Sequence, residues 1–82
     1  MPLFAFLWNM TLVNISDGES VSVMRVDASP SLAARLEALG VFQNAVITLL
    51  KRSAGGKVYY LRTAFSCIAV GAEVASKIEV TK

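Results

Sequence analysis

The segment Ser29-Pro30-Ser31-Leu32-Ala33-Ala34-Arg35-Leu36-Glu37-Ala38-Leu39-Gly40 carries the start and stop signals of a helix together. Ser29 is placed to cap the first free amides. Pro30 stands at the first helical position, where a missing N–H costs nothing. Leu32, Leu36 and Leu39 fall on one face at i, i+4 and i+7, and Gly40 can take the left-handed conformation that ends the helix. The flanking segments follow a different period. Ser20 to Val26 alternates polar and apolar residues with Val21 and Val23 inward, after an Asp17-Gly18 turn signal. Ala45 to Lys51 is rich in β-branched residues and reads as a strand buried on much of both faces. Ser53-Ala54-Gly55-Gly56 reads as a hairpin loop, with Lys57 to Thr63 as the return strand. Ser66 to Val70 is a fourth strand, Ala72 to Ala75 a helical turn, and Lys77 to Thr81 a last strand with Ile78 and Val80 inward.

With 82 residues, these elements make one domain that buries roughly 60 % of its surface. About five short strands and one short helix predict a mainly β fold, a small barrel whose closure hides its sheet edges. The chain is 55 % hydrophobic and 17 % charged, which excludes disorder. No transmembrane span is expected, because the most apolar run, Leu3 to Trp8, is far shorter than the roughly 20 residues a bilayer requires. That run also lacks the basic start and cleavage site of a signal peptide. There is no histidine and one cysteine, Cys67. Zinc sites of the cysteine–histidine type and histidine-based triads are therefore excluded. A single thiol also leaves the cytoplasm as the expected compartment. A net charge of +2 does not argue for nucleic acid. So many apolar residues on so small a core point to a surface that meets another protein.

The ordered set of Gly18-Glu19, Val21 and Val23, Arg35-Leu36, Leu39-Gly40, Val46, Leu50, Ile68-Ala69-Val70, Ala75, Ile78 and Val80 resembles the FeoA family. These are small SH3-like barrels that accompany the FeoB ferrous-iron transporter. The resemblance runs from about Met10 to Val80. It implies an SH3-like barrel of about five strands over residues 10–82, one short α-helix over about residues 30–39 and a helical turn near 72–75, after an apolar extension at 1–9. Leu36 and Leu39 would pack the helix on the barrel. The sequence departs from the family's pattern at Gln43-Asn44, where Pro-Gly is usual. Asn is the residue after glycine best suited to a left-handed backbone. It departs also at Phe65, where a turn glycine is common, and a left-handed Phe would be strained, so this turn should differ in shape. At Gly71 an Arg is common.

Function implied by the resemblance is that of a cytoplasmic accessory protein of ferrous-iron uptake, peripheral at the inner face of the membrane through its partner. It would bind and modulate a FeoB-type transporter by surface recognition, without catalysis. Leu39, Val41 and Phe42 at the helix exit and Lys51, Arg52 and Lys57 at the basic hairpin are the expected contact residues. A solvated hairpin tip is the plainer reading of these cations with Arg62. Phe4, Phe6 and Trp8 share a face if extended. They could complete the domain's own core, dock on a partner or join two copies in a homo-oligomer. No cofactor and no metal ligand set is expected, since Asp17, Glu19, Asp27, Glu37, Glu73 and Glu79 are scattered. Cys67 is expected to be a buried, inert thiol. Two other readings remain. One is a regulatory module related to the C-terminal domain of iron-dependent repressors. The other is a small RNA-binding barrel, suggested by Tyr59 and Tyr60 beside the cations, of which at most one can face outward.

Overall fold

The computed structural model of the chain describes residues 10–82. The extension at 1–9, with Phe4, Phe6 and Trp8, lies outside the described residues. Among these residues six antiparallel strands make one sheet: β1 (Met10–Thr11), β2 (Ser20–Val26), β3 (Val46–Arg52), β4 (Val58–Arg62), β5 (Cys67–Gly71) and β6 (Ile78–Thr81). Their order is β1-β6-β2-β3-β4-β5. Helix α1 spans Pro30–Ala38, α2 spans Ala72–Ala75, and a 3-10 turn spans Leu12–Asn14. This is the mainly β, SH3-like fold with its helix and helical turn where the sequence placed them. Among the described residues the ladder runs in open order, with β1 and β5 at its edges. This corrects the expected closed barrel of about five strands, since a sixth strand, β1, pairs with β6 and no pairing joins β1 to β5.

Alternation along the strands builds the core. Val21, Val23, Ile47, Leu49, Leu61, Ile78 and Val80 face one interior and are at most 2 % exposed. Two bulges roll the sheet around that interior. One lies between Val23 and Arg25. The other sets Leu50 and Lys51 against Tyr60 alone, and so turns Lys51 to the outer face. β3 is buried on one face only, a correction to the sequence reading: Val46 is 61 % exposed beside buried Ile47. Buried Leu12 and Ile15 sit in a stretch the sequence reading passes over. The signal there is reciprocal capping, in which Thr11 Oγ1 accepts from the Val13 amide and Asn14 Oδ1 accepts from the Thr11 amide.

Helix α1 starts and stops as its signals require. Ser29 Oγ accepts from the Leu32 amide. At the other end the Gly40 amide donates to Glu37 O and the Val41 amide to Leu36 O, with Gly40 at φ +102°. That is a Schellman ending, which brings the residue after the glycine against the last turn of the helix. Val41 is accordingly buried, 1 % exposed beside Leu36. Asn44 takes φ +73°, the left-handed turn expected where the family has Pro-Gly. Among the described residues Asn44 is the sole non-glycine at positive φ, so Phe65 escapes that strain.

The turn before β2 is held by Glu19. Its carboxylate accepts from the Ser16 amide at 2.7 Å and from Lys82 Nζ at 2.6 Å. The hydrogen bond from Lys82, then that from Ser16, holds the Glu19 pKa below its ordinary value. A depressed folded-state pKa contributes stability above the unfolded glutamate range, and that contribution is lost as pH falls through the lowered value. Glu19→Gln should therefore flatten the acid side of the stability profile. Urea midpoints at about pH 7 and about pH 3 should differ less for the variant than for the parent.

Candidate protein-interaction surface

Strand β5 forms one edge of the sheet among the described residues, and grooves lie beside it. It pairs with β4 through Val58↔Gly71, Tyr59↔Val70, Tyr60↔Ala69, Leu61↔Ile68 and Arg62↔Cys67. The Thr63 amide donates to Ser66 O and the Ala72 amide to Lys57 O, at 2.8 and 2.9 Å. Antiparallel pairs alternate between bonded and non-bonded positions. These two bonds therefore assign Ile68 and Val70 to bonding with β4. Cys67 and Ala69 then turn both N–H and C=O away from β4. Gly71 turns its N–H the same way, while its carbonyl opens α2 as the N-cap residue. All three are exposed.

An apolar groove flanks this edge on each side. On the outer face of the sheet, Leu50, Lys51, Tyr60, Cys67, Ile68 and Ala69 line about 370 Å³. On the helix side lies a groove of about 210 Å³ between α1 and β5–α2, lined by residues including Leu32, Arg35, Leu39, Ala69 and Val74. Lys51 and Arg35 are the charged residues lining the two, and no carboxylate lines either. From Glu37 to Glu73 the sequence contains no acid between them, so strands β3, β4 and β5 have none.

The helix exit fixes α1 beside this edge. Thr63, 7 % exposed, donates its hydroxyl to Leu39 O at 2.6 Å. The same oxygen accepts from the amides of Phe65 and Ser66, each at 3.1 Å. One side chain thus ties the end of α1 to the β4–β5 turn. Beside it, Phe42 and Phe65 pack with ring centroids 6.2 Å apart, and Phe65 remains 63 % exposed.

The residues singled out in the sequence divide accordingly. Leu39 is 41 % exposed and lines the helix-side groove. It does not pack the helix on the sheet as expected, because that contact is made by Leu36. Val41 lies in the core and presents no surface to a partner. Phe42 is half-buried at the helix exit. Lys51 lines the outer groove, with Nζ 5.5 Å from the Tyr60 ring centroid. Arg52 is turned the other way. It bonds Asp17 at 3.2 Å and the Ile15 carbonyl, and lies 5.2 Å from the Tyr59 ring. Its charge is committed to the fold. Lys57 is exposed at the hairpin end of β4, far along the strand from the helix exit, so the two expected contact regions are separate. Tyr59 is 5 % exposed and Tyr60 36 %, one inward and one outward.

Cys67 is exposed, which corrects the expectation of a buried thiol. Its strand is an edge, and its register opposite Arg62 places it on the outer face. Phe65 and Ala69, which the sequence reading did not rank as surface, belong to the accessible region. The edge position of β5, which no local pattern encodes, is what exposes them. Among the described residues no three Cys, Asp or Glu side chains are grouped to hold a metal ion. No helix among them is long and apolar enough to cross a membrane.

Comparison with known proteins agrees with this architecture. A family model described as the FeoA domain matches residues 10–82. The FeoA protein from Chlorobium tepidum superposes with a TM-score of 0.82 at 24 % identity, covering 88 % of this chain and 69 % of that one. Iron(II) transport protein A from Clostridium thermocellum gives 0.80 at 21 % identity, over 88 % of this chain and 44 % of that one. A manganese-dependent transcriptional repressor gives 0.79 at 20 % identity, over 89 % of this chain and 40 % of the repressor. A search of curated proteins found no match.

Proposed function

Because the chain belongs to the FeoA family, we propose that it is a cytoplasmic interaction protein of ferrous-iron uptake that binds and modulates a FeoB-type transporter. The observation that carries this reading is the family match over residues 10–82. The similarity to an iron(II) transport protein supports it. The mode of action follows from the surface. The β5 edge and its two grooves offer backbone groups and apolar side chains to a partner, and they act by recognition. Leu39 and Lys51 each line a groove and are the contact residues best supported by position. Phe42 and Lys57 lie further out, and Arg52 serves the fold.

A second reading is favoured by one observation, the superposition on a manganese-dependent repressor at a TM-score of 0.79. It makes the chain a regulatory module acting on a protein partner, again through its surface.

An isotope-edited NMR titration with the cytosolic nucleotide-binding domain of the FeoB-type transporter tests the first reading. Shifts are expected along Cys67–Gly71 and at Leu39 and Lys51. A well-dispersed spectrum that does not change at saturating partner would contradict it.

A further inference from the structure

We propose that the β5 edge receives an extended, acidic segment of a partner protein, which adds as a seventh strand and lays apolar side chains into the two flanking grooves. This deepens the interaction-protein reading and rests on it for the identity of the partner, though not for the chemistry.

The backbone comes first. Among the described residues, Cys67, Ala69 and Gly71 present groups without a backbone partner at every second residue, the spacing an added strand requires. Proteins ordinarily protect such an edge with charged side chains, proline or a bulge. β5 reads Cys-Ile-Ala-Val-Gly and carries no charge and no proline, and its register with β4 is unbroken. Strand β1, at the other edge, has two residues and offers far less. Among the described residues the open edge is thus confined to β5.

Side chains then specify the occupant. Alternate residues of an added strand would point to opposite faces. One set would meet the outer groove at Leu50, Tyr60 and Ile68. The other would meet the helix-side groove at Leu32, Leu39 and Val74. Both grooves are apolar, and the cation lining each, Lys51 or Arg35, has no carboxylate within ion-pair distance. The ion pairs among the described residues are Arg25–Glu79, Arg52–Asp17 and Lys82–Glu19. Exposed Arg62, opposite Cys67, adds a third cation without such a partner. A second copy of the chain placed edge to edge would bring like charges together. A segment carrying carboxylates between apolar residues neutralises them.

The probe is a blocked heptapeptide Glu-Val-Val-Glu-Val-Val-Glu, which sets valines on both faces of an added strand. It is compared with its counterpart carrying lysine at each glutamate and with a version carrying proline at the third and sixth positions. NMR titration of the full chain should show shifts confined to β5 and both grooves, with slowed amide exchange at Cys67, Ala69 and Gly71. The glutamate peptide should bind at least about tenfold more tightly than the lysine peptide, and the proline version should not bind. Ala69→Pro removes an N–H that faces the open edge, so pairing with β4 can persist while binding is lost. Should that variant fail to fold, the charge reversals Lys51→Glu and Arg35→Glu serve instead, and each should weaken the glutamate peptide.

Equal binding of both charged peptides, or shifts away from β5, would overturn the proposal. So would a dimer in sedimentation that Ala69→Pro dissociates, since a second copy would then hold the edge. Binding of oligouridylate at this face with no binding of the glutamate peptide would also overturn it. Binding of the transporter domain without binding of the glutamate peptide removes this inference and leaves the family reading. Glutamate-peptide binding at β5 without transporter binding does the reverse.

Discussion

Gly40→Ala should destabilise the fold by about 3 kcal/mol and lower Tm by roughly 12–24 °C. Two effects add at this position. Gly40 holds φ +102°, a conformation that costs an L-residue about 1–2 kcal/mol. A Cβ there would also lie 2.4 Å from Thr63 Oγ1 and 2.7 Å from Thr63 Cβ, closer than van der Waals contact permits. Thr63 cannot step aside cheaply, because its hydroxyl links Leu39 O to the amides of Phe65 and Ser66. Leaving such buried groups unpaired costs about 1–3 kcal/mol. The effect should reach beyond stability. This joint positions α1 beside β5, so the helix-side groove should change in the NMR spectrum of any Gly40→Ala protein that remains folded. Thermal unfolding followed by circular dichroism measures the first effect. A Tm within a few degrees of the parent would mean that the helix exit is not held as described.

Leu49→Ala should cost about 2–5 kcal/mol, against about 1 kcal/mol or less for Leu39→Ala. Leu49 is fully buried in the middle of β3, opposite Leu61. Its carbonyl accepts from the Gly18 amide at 2.6 Å and its amide donates to Glu19 O at 2.9 Å, so little room exists for the backbone to close a cavity. Leu39 is 41 % exposed and loses mostly surface. For a domain of this size, total stability is of order 4–12 kcal/mol, so the first variant should approach the unfolding threshold and the second should not. Urea titrations of both proteins make the comparison. Equal losses would place Leu39 in the core and remove it from the proposed surface.

That pair of leucines shows what local pattern can and cannot carry. The boundaries of α1 are local chemistry: a serine cap, a proline at the first position and a glycine beyond the last turn are each read from neighbours in sequence. The inward set of β2 and β6 follows from strict alternation. Leu39 shares a helical face with Leu36, yet the helix ends beneath it, so periodicity places it inside while geometry leaves it at a groove. Val41 looks like a surface residue of a loop until the Schellman ending folds it against Leu36. Ordinary alternation already parts Lys51 from Arg52, which adjacency in sequence had grouped as one basic cluster, and the bulge at Leu50 decides that Lys51 rather than Arg52 faces outward. Cys67 exposes the same limit at the level of topology. Apolar neighbours suggest burial, but whether a strand is central or at an edge depends on the order of the whole sheet. The resemblance to the FeoA family supplied the barrel and its helix. It did not supply the open edge, which emerges only when all six strands are paired.

The most direct test of the account is residue-resolved amide hydrogen exchange along β5, with and without the transporter's cytosolic domain. In the free protein, exchange at Cys67, Ala69 and Gly71 should be fast, while Ile68 and Val70, bonded to β4, should be slow. Addition of the domain should slow the first three and leave the other two unchanged. Uniform protection along β5 in the free protein, or protection by the partner elsewhere with β5 unaffected, would contradict it.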